Sequence, residues 1–287
     1  MRPSFHPGGR PSRQAWGRGL KHLLIFGQGY VGTRLRRHLE RDGWHVTGTS
    51  RTPGPGLISF DDPALADSLN AATHVLSSVP PGDDGDPVLA LFSDAIAASP
   101  CWTGYLSSTG VYGDVGGAWV DESAPIGTGR RTARSDADAA WQQLPGVHIF
   151  RLPGIYGPGR TPFDRIRGGE AKRIDAPGQV FSRIHVDDIC AAVIAGMTRP
   201  RPGIYNVADD RPAPAHEVTA FAARLAGIET PPLTPLEKAE LSPVARGFYA
   251  ENRRVANGKM KRDLGVSLRY PDYRSGLSAC LEEERAS

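Results

Sequence analysis

The feature that most constrains this chain is a short, mostly apolar run that leads straight into a glycine-spaced turn. His22-Leu23-Leu24-Ile25-Phe26 is followed at once by Gly27-Gln28-Gly29-Tyr30-Val31-Gly32. A continuous run of that kind suits a parallel strand covered on both faces. The residues after it place Val31, Leu35 and Leu39 at helical spacing, and Gly43 closes the pattern. Strand, turn and helix in this order form a receptacle for a dinucleotide pyrophosphate. The first glycine permits the tight turn, the second admits the phosphates to the backbone, and the third lets the helix pack against the strand. A second strand, expected over residues 44–49, stands where the full motif requires one. The bland alternative is a glycine-rich turn that binds nothing.

The alternation continues. Strands are expected at 57–60, 73–79, 102–107 and 147–152, and helices at 64–69, 88–98 and 132–144. Strands alternating with helices predict an α/β protein with a Rossmann-type, doubly wound parallel sheet. After Leu152 turn-rich stretches interrupt shorter elements. Helices are expected at 186–197, 216–226 and 273–284, with a strand at 204–207. The organisation predicted is a dinucleotide-binding core over 21–152 and a C-terminal part over 153–287. That part returns to the sheet at about 180–207 and builds a small substrate-side lobe.

Thirty-four basic and 31 acidic residues leave a net charge of +3, too little to indicate a nucleic-acid partner. The distribution is more telling, because no acid precedes Glu40. Residues 1–20, rich in Arg, Pro, Gly and Ser, read as a disordered basic tail. They lack the apolar segment of a secretory signal. No stretch approaches the ~20 apolar residues of a membrane-spanning helix. Cys101, Cys190 and Cys280 lie far apart, which suits a reducing, cytoplasmic compartment and neither a disulfide framework nor a metal site.

The end of the second strand bears on cofactor choice. An NAD site places Asp or Glu there to accept from the ribose hydroxyl, whereas this chain has Thr49-Ser50-Arg51. A guanidinium pairs with a 2'-phosphate and Ser50 can donate to it, so NADP is expected, with NAD as the alternative. Arg51 as a solvated loop residue is the competing reading. Asp61 or Asp62 either caps the next helix or meets the adenine. Ser78-Val79-Pro80 ends the fourth strand on the edge where open α/β sheets bind ligands.

Several further blocks carry a family likeness. Leu106-Ser107-Ser108-Thr109-Gly110-Val111-Tyr112-Gly113, Arg151-Leu152-Pro153-Gly154-Ile155-Tyr156-Gly157-Pro158-Gly159, Arg183-Ile184-His185-Val186-Asp187-Asp188 and Tyr205-Asn206-Val207-Ala208-Asp209 stand in order. With the glycine motif they resemble the extended short-chain dehydrogenases/reductases of the NAD(P)-dependent epimerase/dehydratase family, over roughly residues 21–281. The resemblance implies that Ser108 hydrogen-bonds the substrate oxygen. It also implies that Ser107, Pro153 and Ile155 border the nicotinamide, and that the protein forms a homodimer.

Typical members carry a Tyr-x-x-x-Lys pair on the following helix, where i, i+4 spacing puts both on one face. Here Arg130 and Arg134 stand at those positions. Arg134 can hold the ribose, but Arg130 is a poor acid at neutral pH because a guanidinium gives up its proton far less readily than a phenol. Tyr112 is the first substitute proton donor, with Tyr156 and His185 behind it, although packing would explain all three. Arg160 suits an anionic substrate or the bare surface. The leading expectation is an NADP-dependent oxidoreductase or epimerase-like enzyme acting on a small hydroxyl- or carbonyl-bearing metabolite. A non-catalytic NADP(H)-binding module resembling redox sensors and a nucleotide-sugar epimerase/dehydratase are the alternatives.

Overall fold

The computed structural model describes residues 21–286 apart from Pro53, Pro55, Arg131 and Pro200, so the basic tail expected over 1–20 lies outside the described residues. The first half runs β1 (His22–Phe26), α1 (Tyr30–Arg41), β2 (His45–Thr49), β3 (Leu57–Ile58), α2 (Ala64–Ala71), β4 (His74–Ser77), α3 (Pro87–Ala98) and β5 (Trp102–Ser108). Then come β6 (Trp119–Val120), α4 (Thr132–Trp141), β7 (Val147–Leu152), β8 (Gly154–Tyr156), α5 (Phe163–Arg167), β9 (Arg173–Asp175), β10 (Arg183–His185), α6 (Val186–Thr198) and β11 (Gly203–Asn206). The chain closes with α7 (Ala215–Leu225), β12 (Leu233–Pro235), α8 (Pro243–Phe248), β13 (Arg254–Val255) and α9 (Tyr273–Ala286).

Seven strands form one all-parallel sheet in the order β11-β7-β5-β4-β1-β2-β3. This is the doubly wound Rossmann-type arrangement, and the winding reverses between β1 and β4, where such sheets open a crevice at their carboxyl edge. Side chains alternate across the pleat, so β1 supplies both cores. Leu23 and Ile25 pack with Val31, Leu35 and Leu39 of α1. Leu24 and Phe26 face Leu65 and Leu69 of α2, Phe92 and Ile96 of α3, and Trp141 of α4. Asp86 starts α3 by accepting the N–H groups of Val88 and Leu89 at 2.9 and 3.0 Å, ahead of Pro87 at the first turn. Its other oxygen accepts from the Trp141 indole at 2.8 Å.

The second half adds three two-strand parallel pairs, β8–β10, β9–β12 and β6–β13, which periodicity did not reveal. Strands of two or three residues are too short to show an alternation. Phe163, Ile166, Val218, Ala222, Tyr273 and Leu277 give this half its own core. Among the described residues no helix is long and apolar enough to cross a membrane.

A charged network lies inside the fold. Arg151 of β7, 1% exposed, donates to Asp138 of α4 through Nε at 3.1 Å and Nη2 at 2.7 Å. The same carboxylate accepts from Ser107 at 2.5 Å and from Gln142 at 2.7 Å. The third guanidinium nitrogen donates to the Tyr112 hydroxyl at 2.9 Å, which in turn donates to Asn206 of β11 at 2.7 Å. A carboxylate this fully engaged is held in one place, and burial without it would be very unfavourable for the guanidinium.

The amino edge of the sheet carries His22, His74 and His148 among Trp44 and Trp102. Burial lowers the pKa of each from 6.5 to about 4, and at His22 the neighbouring His45 adds to the effect.

Two outcomes follow. Arg151→Met leaves Asp138 buried without its cation and is expected to destabilise the fold by about 3–5 kcal/mol in urea unfolding. Adding Asp138→Leu should recover most of the loss, and an unchanged urea midpoint for the single variant would contradict the role given to the pair. For pH, the unfolded chain takes up protons at these histidines below 6.5 while the folded one resists until about 4. Their contribution is therefore complete above pH 6.5 and declines as pH falls towards 4. Melting temperature against pH should turn down near 6.5, above the carboxylate range, and a His148→Phe variant should show a shallower decline.

Candidate active site

The glycine turn is built as three unlike positions. Gly27 has φ +78°, in the left-handed region, and a Cβ there would meet Val79 Cγ2 at 2.8 Å. At Gly32 an added Cβ would press on Ile25 at 3.3 Å, where α1 lies against β1. Gly29 between them is exposed and faces open space, with nothing within 4 Å of an added Cβ. Among the described residues no side chain caps α1, and its first turn holds no acid. The N–H groups of Tyr30, Val31 and Gly32 therefore open onto the space before Gly29, where the helix dipole favours an anion. Gln28 folds its amide over Gly48 of β2, and its buried Oε1 has no partner among the described residues.

Backbone bonds tie the neighbouring strand ends to this turn. Gln28 N–H donates to Thr49 O at 2.7 Å, Gly27 N–H to Thr49 Oγ1 at 2.8 Å, and Ser78 N–H to Phe26 O at 2.8 Å. Ser50 and Arg51 thus leave β2 beside the glycines, with Arg51 exposed and Ser50 Oγ accepting from Thr52 N–H at 3.1 Å. Asp62, not Asp61, receives the Ala64 N–H at 2.9 Å at the start of α2, and Asp61 remains exposed. Ser78, Val79 and Pro80 follow β4, and Pro153 and Ile155 follow β7, on the same carboxyl edge.

Ser108 ends β5 half-buried, and its Oγ accepts the Gly110 N–H at 3.1 Å. Among the described residues that hydroxyl donates to no partner, so its proton remains available to a ligand. Ser107, one residue earlier, turns inward to Asp138. Helix α4 brings Arg134 to the same edge, half-buried beside Tyr105. Burial and Asp86 push the Tyr105 phenol's pKa up, and the Arg134 charge opposes the rise. Arg130 sits just before α4, where its N–H donates to Glu251 at 2.8 Å, its Nε lies 3.5 Å from the same carboxylate, and its guanidinium covers the Phe248 ring.

The substitute proton donors do not reach the cleft. Tyr112 is 1% exposed and sealed between Arg151 and Asn206, and burial raises its pKa. This corrects the expectation that it takes over from the missing tyrosine. A phenol that donates inward and accepts inward has no proton to offer a substrate. Tyr156 is buried with its hydroxyl on Asp272 O at 3.3 Å. His185 caps α6 by accepting the Asp187 N–H at 3.2 Å, packs on Tyr156 and Tyr270, and is held neutral because burial lowers its pKa to about 4. Arg160 is exposed over the Tyr30 ring, and the Tyr30 hydroxyl donates to Pro158 O at 3.0 Å.

Sequence reasoning missed Arg253, whose Nη1 donates to Gly113 O at 2.6 Å and pairs with Glu251 at 3.0 Å. Arg253 and Gly113 are 140 residues apart, and no local pattern marks the contact. A separate cavity of about 640 Å³, lined in part by Glu122, Gln142, Val147, Gly203 and Lys259, lies against the starts of β7 and β11, away from the glycine turn.

No established family profile matches the chain. A conserved protein of unknown function from Silicibacter pomeroyi DSS is 47% identical, with a TM-score of 0.86 over 92% of this chain and 99% of that one. Protein YeeZ of Escherichia coli (strain K12) is 29% identical over 286 residues, spanning 88% of this chain and 97% of its own. The human epimerase family protein SDR39U1, solved with NADPH, is 20% identical and superposes with a TM-score of 0.76 over 91% of this chain and 99% of that one. The chain belongs to the same family as the Silicibacter protein, and it shares the fold of NAD(P)-dependent epimerase/dehydratase proteins.

Proposed function

We propose that the protein is an NADP(H)-dependent oxidoreductase or epimerase-like enzyme acting on a small hydroxyl- or carbonyl-bearing metabolite. The observation that carries this reading is the contrast within the glycine turn. Gly27 and Gly32 are closed by the fold, while Gly29 is open in front of uncapped N–H groups. That is the cradle a pyrophosphate requires.

Gly27, Gln28, Gly29, Tyr30, Val31 and Gly32 would hold the pyrophosphate side of the cofactor. Ser50 and Arg51 would take the 2'-phosphate, and Arg134 the nicotinamide ribose, with Ser78 to Pro80, Pro153 and Ile155 bordering it. When bound, NADPH supplies a hydride from its nicotinamide ring. Ser108 donates its free proton to the substrate oxygen and polarises the carbonyl. With Tyr112 in the core and Arg130 engaged by Glu251, solvent entering at the half-exposed Ser108 is left to provide the transferred proton. NADPH in the human structure is consistent with this choice.

The inward-facing hydroxyls of Tyr112 and Tyr156 support a second reading, an NADP(H)-binding module that does not turn over. The two are separated by the cofactor titration followed by carbonyl reduction. The sensor reading expects a difference in affinity between NADPH and NADP without consumption of either.

Fluorescence titration tests the cofactor assignment. Gly29→Val should keep the melting temperature, since its side chain enters open space, and weaken NADPH roughly tenfold or more. Retained affinity would overturn the cradle. Arg51→Asp should weaken NADPH more than NADH by at least ~1.4 kcal/mol, which is tenfold in Kd. Equal weakening of both cofactors would remove Arg51 from the 2'-phosphate.

A further inference from the structure

Gly110 follows Ser108 by two residues, and neither its backbone nor its packing requires glycine. Its φ lies outside the left-handed region, and it is not crowded by backbone. An added Cβ would find only two atoms within 4 Å, Ser108 Oγ at 3.3 Å and Arg253 Nη2 at 4.0 Å. The missing side chain therefore leaves a gap with a hydroxyl on one side and a guanidinium on the other.

Both groups are prepared to receive a ligand there. Ser108 Oγ accepts from Gly110 N–H and keeps its proton available. Arg253 is anchored through Nη1 to Gly113 O and Glu251, while Nη2 has no hydrogen-bond partner among the described residues. The Arg253 side chain is only 16% exposed. An anchored, weakly hydrated guanidinium loses little freedom on binding an anion. Glu251 does not cancel the local charge, because it is shared by Arg130 and Arg253.

We infer that Arg253 is a substrate-positioning residue and that the substrate is a short oxo acid or its hydroxy-acid counterpart. The carbonyl oxygen takes the Ser108 proton, and a carboxylate one or two carbons away pairs with Arg253 Nη2. Gly110 keeps the passage between them open. The assignment rests on the function proposed above, with Ser108 as the group that meets the reacting oxygen. It adds the charge and length of the substrate.

The test uses the full chain loaded with NADPH and titrated with oxamate, malonate, neutral ethyl oxamate and inorganic phosphate, followed by cofactor fluorescence and melting temperature. Oxamate or malonate should bind and ethyl oxamate should not. Arg253→Gln should weaken the acid roughly tenfold or more, and Arg253→Lys should restore part of the loss. Gly110→Ala, which leaves the ties of Arg253 to Gly113 and Glu251 untouched, should also block the acid and guards against misfolding of the Arg253 variants. NADPH affinity should be unchanged throughout. Failure of NADPH to bind the unaltered protein would overturn the cofactor reading. Normal NADPH binding with no response to either acid, preference for phosphate, or undiminished acid binding by Arg253→Gln would overturn this inference alone.

Discussion

The buried pair of Arg151 and Asp138 fixes the working edge of this protein. It joins β7 to α4, and through Ser107 it also takes hold of β5 one residue before Ser108. The attraction between two charges withdrawn from water is strong only while geometry and hydrogen bonding remain complete. Here the carboxylate has four donors and the guanidinium uses all three nitrogens. Arg134 lies one helical turn from Asp138 on the same face, so the pair also sets where that cation meets the sheet edge. The position of Ser108 relative to α4 is thus decided in the core beneath it.

The parts of the fold legible in the sequence were those written in one stretch of chain. The run from His22 to Phe26 announced a strand buried on both faces, and the glycine spacing announced the turn after it. Asp62 could be read equally as a cap or a ligand, and its bond to Ala64 N–H decides for the cap. Tyr112 looked available because it follows Ser108 on a loop. Its burial depends on Arg151 and Asn206, which are 39 and 94 residues away. The blocks that suggested the family contribute Ser107, Tyr112, Arg151 and Asn206 to a single network, so part of their likeness records packing. Strands such as β6 and β13 were invisible because two residues carry no period.

The family resemblance sets Arg130 and Arg134 against the usual Tyr and Lys, an assignment that would alter the electrostatics of the cleft more than its shape. A phenol can pass a proton to a substrate, whereas a guanidinium serves as a planar fork of hydrogen-bond donors. Arg130 is engaged by Glu251 and stacked on Phe248, which draws α4 towards the second half of the chain. Under the proposed function, two cations on such an edge would organise anions rather than relay a proton.

Arg34 of α1 donates to Asp187 at 2.6 and 3.0 Å and to Glu283 of α9 at 3.1 and 3.3 Å. Those partners lie 153 and 249 residues further along the chain. The helix that follows the glycine turn is therefore fastened by residues synthesised long after it. Contacts of such long range are slow to form, since the loop must close before they contribute. On the ribosome the first strand and helix can assemble early, but the fastening of α1 waits until α9 has emerged.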